Sequence, residues 1–230
     1  AIFAASFVPT YILFGYLCTR VSLKKLLWWG TLVAIPQFVP LLFIHSTTAA
    51  LIAAVAGRPV RAIVCTHTHR DHSPAAALLA NHLRAPVIGC APLTLDDDGP
   101  RADAAFDAGY RPDDVLADGA LLSGDGWTIE AVATPGHTSN HLCYALREER
   151  GLFTGDHVMG WSTSIVSPPD GDMADYMRSM QKLLERDDTV YYPAHGEAVE
   201  NPQRLVRGMM GHRKHREGQI LRHLGEGEAG

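Results

Sequence analysis

A short histidine-rich segment places the strongest constraint on the fold of this chain. Three histidines and an aspartate fall within six consecutive positions, in the order H-x-H-x-D-H: His67, His69, Asp71 and His72. They directly follow an apolar run at residues 62–65, which predicts a short strand that ends at the cluster. A strand end and the turn after it bring such side chains together, and imidazole and carboxylate are ligands that zinc prefers. The segment therefore predicts a metal site. A single histidine here would more often be a surface or hydrogen-bonded residue.

Three later segments repeat this arrangement. His137, Asp156 and His195 each follow an apolar strand pattern and each stand directly beside a glycine. Taken singly they are weak signals, because histidine and aspartate at strand ends commonly cap helices or bind loop amides. As a series they indicate ligands that converge at one edge of a sheet.

Net charge and cysteine spacing give no sign of a nucleic-acid-binding protein, a disulfide-rich protein or a zinc knuckle. The chain has 230 residues, enough for one sizeable domain and an appendage. A formal net charge of -5 gives no general indication of nucleic-acid binding. The cysteines are scattered without C-x-x-C spacing, which indicates buried reduced thiols instead of disulfides or a zinc knuckle: Cys18, Cys65, Cys90 and Cys143.

The first part of the chain differs from the rest. Residues 1–19 and 26–57 contain no Lys, Arg, Asp or Glu, and a basic segment at residues 20–25 joins them. This pattern predicts a transmembrane hairpin of two helices at residues 1–19 and 26–48, with two buried helices or strands of a soluble core as the alternative. The predicted domains are residues 1–47 and 48–230. The hairpin implies membrane association; without it, a soluble cytoplasmic or organellar protein is expected.

From residue 48 onward, short apolar runs alternate with helical patterns, as is typical of α/β domains. Helices are predicted at residues 48–56, from an N-cap at Ser73 followed by Pro74 to about residue 83, from Asp172 through residue 184, and from Asn201-Pro202 to about residue 224. Residues 96–118 are predicted to form an acidic loop with a short helix. The predicted strands are residues 61–65, 85–90, 120–122, 127–133, 141–146, 152–154 and 189–192.

The order of the candidate ligands resembles the metallo-β-lactamase superfamily. That pattern is H-x-H-x-D-H, a lone His, a lone Asp and a last His, and residues 66–72, His137, Asp156 and His195 follow it. The resemblance covers roughly residues 48–224. His at 137 and Asp at 156 are similar to the glyoxalase II and lactamase-like hydrolase branch. The neighbouring segments 66–74 and 153–161 are most similar to the lactamase-beta-like subgroup, some members of which are endoribonucleases.

The resemblance implies a fold and a ligand set. The implied fold is an α/β sandwich in αββα layers. The strands that usually precede the H-x-H-x-D-H motif are expected to be absent, since that region resembles a piece of a transporter. The implied cofactor is two zinc ions, with iron or manganese as alternatives. One ion is assigned to His67, His69 and His137, the other to Asp71, His72 and His195, and both to a bridging Asp156.

The predicted activity is metal-dependent hydrolysis of a thioester, an ester or a phosphodiester. Two metal ions that share a water lower its pKa toward about 7. Asp71, the candidate catalytic residue, is predicted to orient the resulting hydroxide and to take its proton. Asn140 and His141 are candidates for orienting the ligands, with ordinary turn and strand residues as the alternative.

The expected substrate is an anionic small molecule or RNA. Residues 160–164 are predicted to line the pocket, and the last helix suits a charged carrier or RNA phosphate, unless its charges form only a solvated face. Two other functions stay open: an inactive metal-binding domain attached to a membrane transporter fragment, and a metal-binding scaffold without turnover. The charged and titratable residues of that helix include Arg204, Arg207, His212, Arg213, Lys214, His215 and Arg216.

Overall fold

The computed structural model describes residues 59–93 and 106–225 of the chain. The hairpin predicted at residues 1–19 and 26–48, and the helix predicted at residues 48–56, lie outside these ranges and stay predictions. Within the described ranges, no helix is long and apolar enough to cross a membrane.

The first sheet carries the histidine segment at its edge. It consists of three parallel strands, β1 (Ile63–Cys65), β2 (Val87–Gly89) and β3 (Asp114–Val115), in that spatial order. Helix α1 (Ala75–Leu83) connects β1 to β2, as a parallel pair requires. The helix ends at Arg84, which adopts a left-handed conformation with φ 53°.

The second sheet has five strands in sequence order. They are β4 (Leu121–Gly124), β5 (Trp127–Ala133), β6 (Leu142–Leu146), β7 (Gly151–Gly155) and β8 (Val190–Pro193). The first four pair antiparallel through short turns, and β8 pairs parallel with β7. The parallel pair is connected through helix α2 (Met173–Leu184), and helix α3 (Pro202–Gly225) follows β8.

The second sheet is apolar on both faces, because successive side chains of a strand point to opposite sides. Leu142 and Tyr144 of β6 pack in the cluster that contains Cys65 of the first sheet. Cys143, between them in sequence, and Val132 pack in the cluster formed with helices α2 and α3. The second sheet therefore lies between the first sheet and these two helices, in agreement with the predicted α/β sandwich. The helical residues of that cluster include Tyr176, Met180, Leu183, Val206, Met209 and Met210.

The predicted elements agree with the structure except at two points. Strand β5 has the predicted bounds, and the ends of the other predicted strands and helices in the described ranges shift by one or two residues. The prediction missed β3, whose two residues are both exposed and lack an apolar pattern. It also assigned the cap of α1 to the Ser73 side chain, which instead donates a 2.9 Å hydrogen bond to Asp107 Oδ2.

The turn before His137 depends on a glycine. Gly136 has φ +138°, and a Cβ placed there would lie 2.3 Å from Cα of Tyr176 in α2. The carbonyl of Gly136 accepts a 2.9 Å hydrogen bond from the amide of Asp172, at the start of the same helix. Only a residue without a side chain lets the turn approach the helix this closely.

We therefore expect Gly136→Ala to lower the free energy of unfolding by roughly 2–5 kcal/mol, because it combines backbone strain with overpacking. Gly126→Ala is the matched control. Gly126 also has a positive φ, +76°, but a Cβ there would meet no atom within 4 Å. Its cost should be about 1–2 kcal/mol. Urea unfolding of both variants measures the difference, and equal losses would contradict the packing argument.

Candidate metal centre

The end of β1 delivers the first four candidate ligands. His67 and His69 follow the strand directly and are buried, at 0% and 2% exposure. The chain then folds back, since the amides of His72 and Ser73 both donate to the carbonyl of His69, at 3.0 and 3.2 Å. This turn brings Asp71 and His72 to the same place as the two buried histidines.

Three imidazoles form the first group. Nδ1 of His69 lies 3.1 Å from Nε2 of His67 and 3.1 Å from Nε2 of His137. Nitrogen ligands about 2.0–2.1 Å from a tetrahedral zinc ion are themselves about 3.3–3.4 Å apart. The observed spacing is close to this value, so the three nitrogens fit one metal ion with little adjustment.

The orientation and protonation of these rings also suit a metal. Nδ1 of His137 donates a 2.6 Å hydrogen bond to the carbonyl of Ile165, which leaves Nε2 as the lone-pair nitrogen facing the group. Burial, and then the neighbouring imidazoles, hold the pKa of His67 well below its usual value. His67 is therefore neutral near pH 7, as a metal ligand must be.

The second group combines two carboxylates with two imidazoles. Nε2 of His195 lies 3.3 Å from Oδ2 of Asp71 and 3.6 Å from Oδ1 of Asp156. Nε2 of His72 lies 3.5 Å from Oδ2 of Asp71 and 3.4 Å from Oδ2 of Asp156. One ligand atom from each of these four residues lies within 4.8 Å of the others, which makes the group able to hold a metal ion.

Asp156 lies next to both groups. Its Oδ2 is 3.8 Å from Nε2 of His137 in the first group, in addition to its contacts in the second. Burial raises the pKa of Asp156, but the imidazole of His72, 3.4 Å away, outweighs this effect and lowers it. Burial likewise lowers the pKa of His72, and the nearby carboxylates of Asp156 and Asp71 raise it overall. Each group therefore stabilises the charged form of the other, and a metal cation bound between them would take over this role.

Two buried atoms of this group lack hydrogen bonds within the described part of the chain. They are Nε2 of His72 and Oδ1 of Asp156. A buried polar atom without a partner is costly, whereas a metal ion would bind both the ring nitrogen and the carboxylate oxygen. The donor set and these two atoms therefore fit a metal ion.

A chain of hydrogen bonds fixes the position of Asp156. Its amide donates to Nε2 of His141 at 3.3 Å, so the proton of this fully buried neutral ring lies on Nδ1. Nδ1 then donates to the hydroxyl of Thr134 at 2.9 Å. The hydroxyl donates to Sγ of Cys143 at 3.2 Å, and the thiol donates to the carbonyl of Thr154 at 3.6 Å.

Each donor in this series of hydrogen bonds is used once, so one arrangement of protons satisfies every group. Gly155 lets the His141 ring approach this closely: its φ is +51°, and a Cβ there would lie 2.7 Å from Nε2 of His141. The predicted role of His141 in orienting an aspartate agrees with this geometry.

Asn140 joins the loops instead of touching a candidate ligand. Its side-chain nitrogen donates to Oγ1 of Thr68, at 3.2 Å, and to the carbonyl of Ala91, at 2.7 Å. Thr68 lies between the two buried histidines in sequence, so Asn140 ties the turn of His137 to the end of β1. A second hydrogen bond also holds Thr68, and it was not predicted from the sequence: the amide of Asp107 donates to the carbonyl of Thr68 at 2.7 Å. Asp107 follows a polar segment that offers no pattern to identify it.

His157 is a further buried histidine that the sequence analysis did not single out. Its ring packs against those of Tyr176 and His141, with centroids 4.7 and 5.7 Å away. Burial lowers its pKa to about 3, so the ring is neutral near pH 7. Its carbonyl accepts hydrogen bonds from the hydroxyls of Ser164, at 2.8 Å, and Tyr176, at 3.1 Å. The His157 ring therefore belongs to the packing around Tyr176 and His141 and is outside both ligand groups.

A cavity of about 210 Å³ opens onto the candidate ligands. His69, Asp71, His137, Asp156 and His195 form its polar side. Its apolar lining consists of Met159, Trp161 and Ile165, of which only Trp161 lies in the segment predicted to line the pocket. Apolar residues beside a group of metal-binding atoms are typical of a small-molecule site.

We expect Asp156→Asn to reduce the metal content of the purified chain from two ions toward one. The substitution keeps the shape of the side chain but removes the negative charge that lies beside both groups. His82→Ala, which removes an exposed histidine of α1, is the control and should keep the full metal content. Elemental analysis measures both variants, and two ions in Asp156→Asn would remove Asp156 from the centre.

Thr134 offers a test of the hydrogen-bond chain. Thr134→Val leaves the buried Nδ1–H of His141 without an acceptor, whereas Thr134→Ser keeps the hydroxyl. We expect the valine variant to bind zinc about 10–100-fold more weakly and the serine variant to bind it nearly as tightly as the original chain. Competition with a chelating dye measures the affinities. Equal affinities for the two variants would show that these hydrogen bonds do not position Asp156.

The comparisons with known proteins agree with this fold. Residues 43–195 match the family model of the metallo-beta-lactamase superfamily. The solved structure of TTHA1623 in a di-iron-bound form is similar with a TM-score of 0.52 and 26% identity, over 66% of this chain and 77% of that one. The match begins before the predicted domain boundary at residue 48, in a part of the chain that the structure does not describe, so the boundary stays a prediction.

Fungal proteins are among the relatives of this chain. The lactamase-like protein notP of Aspergillus sp. is 30% identical over 83% of this chain and 51% of its own length. An atrochrysone carboxyl ACP thioesterase of Aspergillus fumigatus is 38% identical over 49% of this chain and 35% of its own length. This chain thus spans about a third to a half of the length of these two relatives. With its α/β sandwich, its two groups of metal-binding side chains and a family match over most of its length, the chain belongs to the metallo-β-lactamase superfamily.

Proposed function

We propose that this chain is a dinuclear zinc-dependent hydrolase that cleaves thioesters. The observation that carries the proposal is the meeting of seven metal-binding side chains in two adjacent groups, five of them at the wall of one cavity, with Asp156 next to both groups. Iron and manganese are the alternatives to zinc, and the di-iron form of TTHA1623 makes iron the stronger of the two.

The assignment of ligands follows the geometry. His67, His69 and His137 would hold one ion; Asp71, His72 and His195 would hold the other; Asp156 would bind both. When bound, two such ions lower the pKa of a shared water toward about 7 and polarise the carbonyl oxygen of the substrate.

Asp71 is suited to move a proton. Its carboxylate is half exposed, at 50%, whereas that of Asp156 is 10% exposed. It lines the cavity and lies 3.3 Å from Nε2 of His195. A carboxylate at the mouth of the site orients the attacking water and accepts its proton, and it then delivers that proton to the leaving thiolate.

The apolar wall determines how the acyl group binds. Met159, Trp161 and Ile165 line the same cavity of about 210 Å³ as the candidate ligands. They bind the acyl chain beside the ligand groups and exclude bulk water from the reacting carbonyl. An apolar wall suits a thioester better than the charged backbone of a nucleic acid, and the thioesterase of Aspergillus fumigatus supports the same choice.

We expect the zinc-loaded chain to hydrolyse a simple acyl thioester, such as an acyl-N-acetylcysteamine, in an assay that detects the released thiol. A chelator should abolish the activity, and added zinc should restore it. His137→Ala should lower kcat/KM by about 100-fold or more, because it removes one of the three histidine ligands of an ion. His82→Ala is the matched control and should leave the activity unchanged.

The same assay separates the alternatives. A chain that binds two ions but releases no thiol is a metal-binding scaffold or an inactive domain. A zinc-dependent cleavage of a phosphodiester without thioester cleavage would replace the proposed substrate. Activity that survives complete removal of metal would overturn the proposal itself.

A further inference from the structure

A second cavity lies beside the one that contains the candidate ligands. Its volume is about 490 Å³, and it runs between residues 160–163 and one face of helix α3. The two cavities have one lining residue in common, Trp161. We call the second cavity the α3 groove. A molecule whose reactive end lies at the ligand groups can therefore extend past Trp161 into this groove.

Trp161 is exposed in a way that suggests a ligand. It is 74% exposed, more than any other large apolar residue of the described chain. An exposed indole at the junction of two cavities offers a broad apolar surface and a ring N–H to an extended molecule.

The face of α3 that lines the groove has a floor without side-chain bulk. Arg204, Gly208 and His212 are spaced by four residues and lie on one side of the helix. A Cβ at Gly208 would meet no atom within 4 Å, so the missing side chain leaves open space. Leu205 and Met209 add apolar surface along the same groove.

The groove also carries an unpaired cation. Arg204 is exposed, and no carboxylate in the described part of the chain forms an ion pair with it. Arg213, on the same helix, already has partners: it donates to the carbonyl of Ser164 and lies over the ring of Tyr176. An available guanidinium in the lining of an otherwise largely apolar groove is suited to a phosphate.

We infer that the α3 groove binds the phosphopantetheine arm of an acyl thioester, a conclusion that rests on the proposed thioesterase function. The arm is a narrow chain of two amides and a dimethyl-substituted carbon that ends in a phosphate. Its thioester end would lie in the ligand cavity, its middle would cross Trp161 and the open floor at Gly208, and its phosphate would meet Arg204. The groove therefore gives specificity for thioesters carried on this arm over thioesters of small neutral thiols.

The phosphate contact is tested with two substrates that differ only by the phosphate. S-acyl-4′-phosphopantetheine and S-acyl-pantetheine carry the same acyl group and the same arm. We expect the phosphate to lower KM about tenfold in the original chain, as a charge-assisted hydrogen bond does, with little change in kcat. Arg204→Gln should abolish this difference. Arg207→Gln, which removes an exposed cation of α3 that does not line the groove, should preserve it.

The floor of the groove is tested with two helical glycines. Gly208→Leu places a side chain in the open space and should raise KM about tenfold or more for both pantetheine substrates, by excluding the arm. Gly211→Leu is the matched control, because Gly211 is equally open but does not line the groove. Gly211→Leu should leave KM for both pantetheine substrates and kcat/KM for acyl-N-acetylcysteamine unchanged.

The outcomes separate this inference from the proposed function. Hydrolysis of acyl-N-acetylcysteamine, with equal KM for the two pantetheine substrates and no effect of Gly208→Leu, overturns the groove but leaves the hydrolase. If none of the thioesters is hydrolysed, the proposed function fails and the groove inference fails with it. Comparison of an acyl carrier protein with acyl-coenzyme A, which share the arm, then shows which carrier supplies it.

Discussion

The structure depends on holding several polar side chains, most of them buried, at contact distance without leaving them unsatisfied. His67, His69 and His137 are almost fully buried and face one another through their ring nitrogens. Burying such groups is costly unless each finds a partner. The sandwich supplies partners from behind, such as the carbonyl of Ile165, and leaves the front of each ring toward the site. On the side that faces the site, a metal ion would supply the partner that these buried ring nitrogens need.

The two sheets contribute differently to this arrangement. The first sheet supplies His67 and the ligands that follow it from a single strand end, because a tight turn folds the chain back at once. The second supplies His137, Asp156 and His195 from the ends of β5, β7 and β8. The hydroxyl of Tyr144 in β6 donates a 2.7 Å hydrogen bond to the carbonyl of Cys65 in β1, which ties the two sheets together directly behind the ligands. Fold stability and site geometry are therefore coupled.

Much of the fold was readable from the sequence, for physical reasons that differ between elements. Strand β5 is apolar and bounded by a glycine turn on one side and Pro135 on the other, so its ends were unambiguous. The start of α2 was equally clear, because Asp172 accepts a hydrogen bond from the amide of Asp175, as an N-cap does. Strand β3 had no such signal: its two exposed residues form a strand only because β2 offers them an unpaired edge.

By itself the sequence determined the identity and order of the seven candidate ligands, because each residue type and its place after an apolar run are local properties of the chain. Local patterns could not show how these ligands divide into two groups; the family resemblance implied the division, and only the tertiary structure brings Asp156 within 3.8 Å of His137. It also decided that His141 supports Asp156 and that Trp161 joins two cavities. No local pattern could show this, since both depend on which elements pack together and on the space left between them.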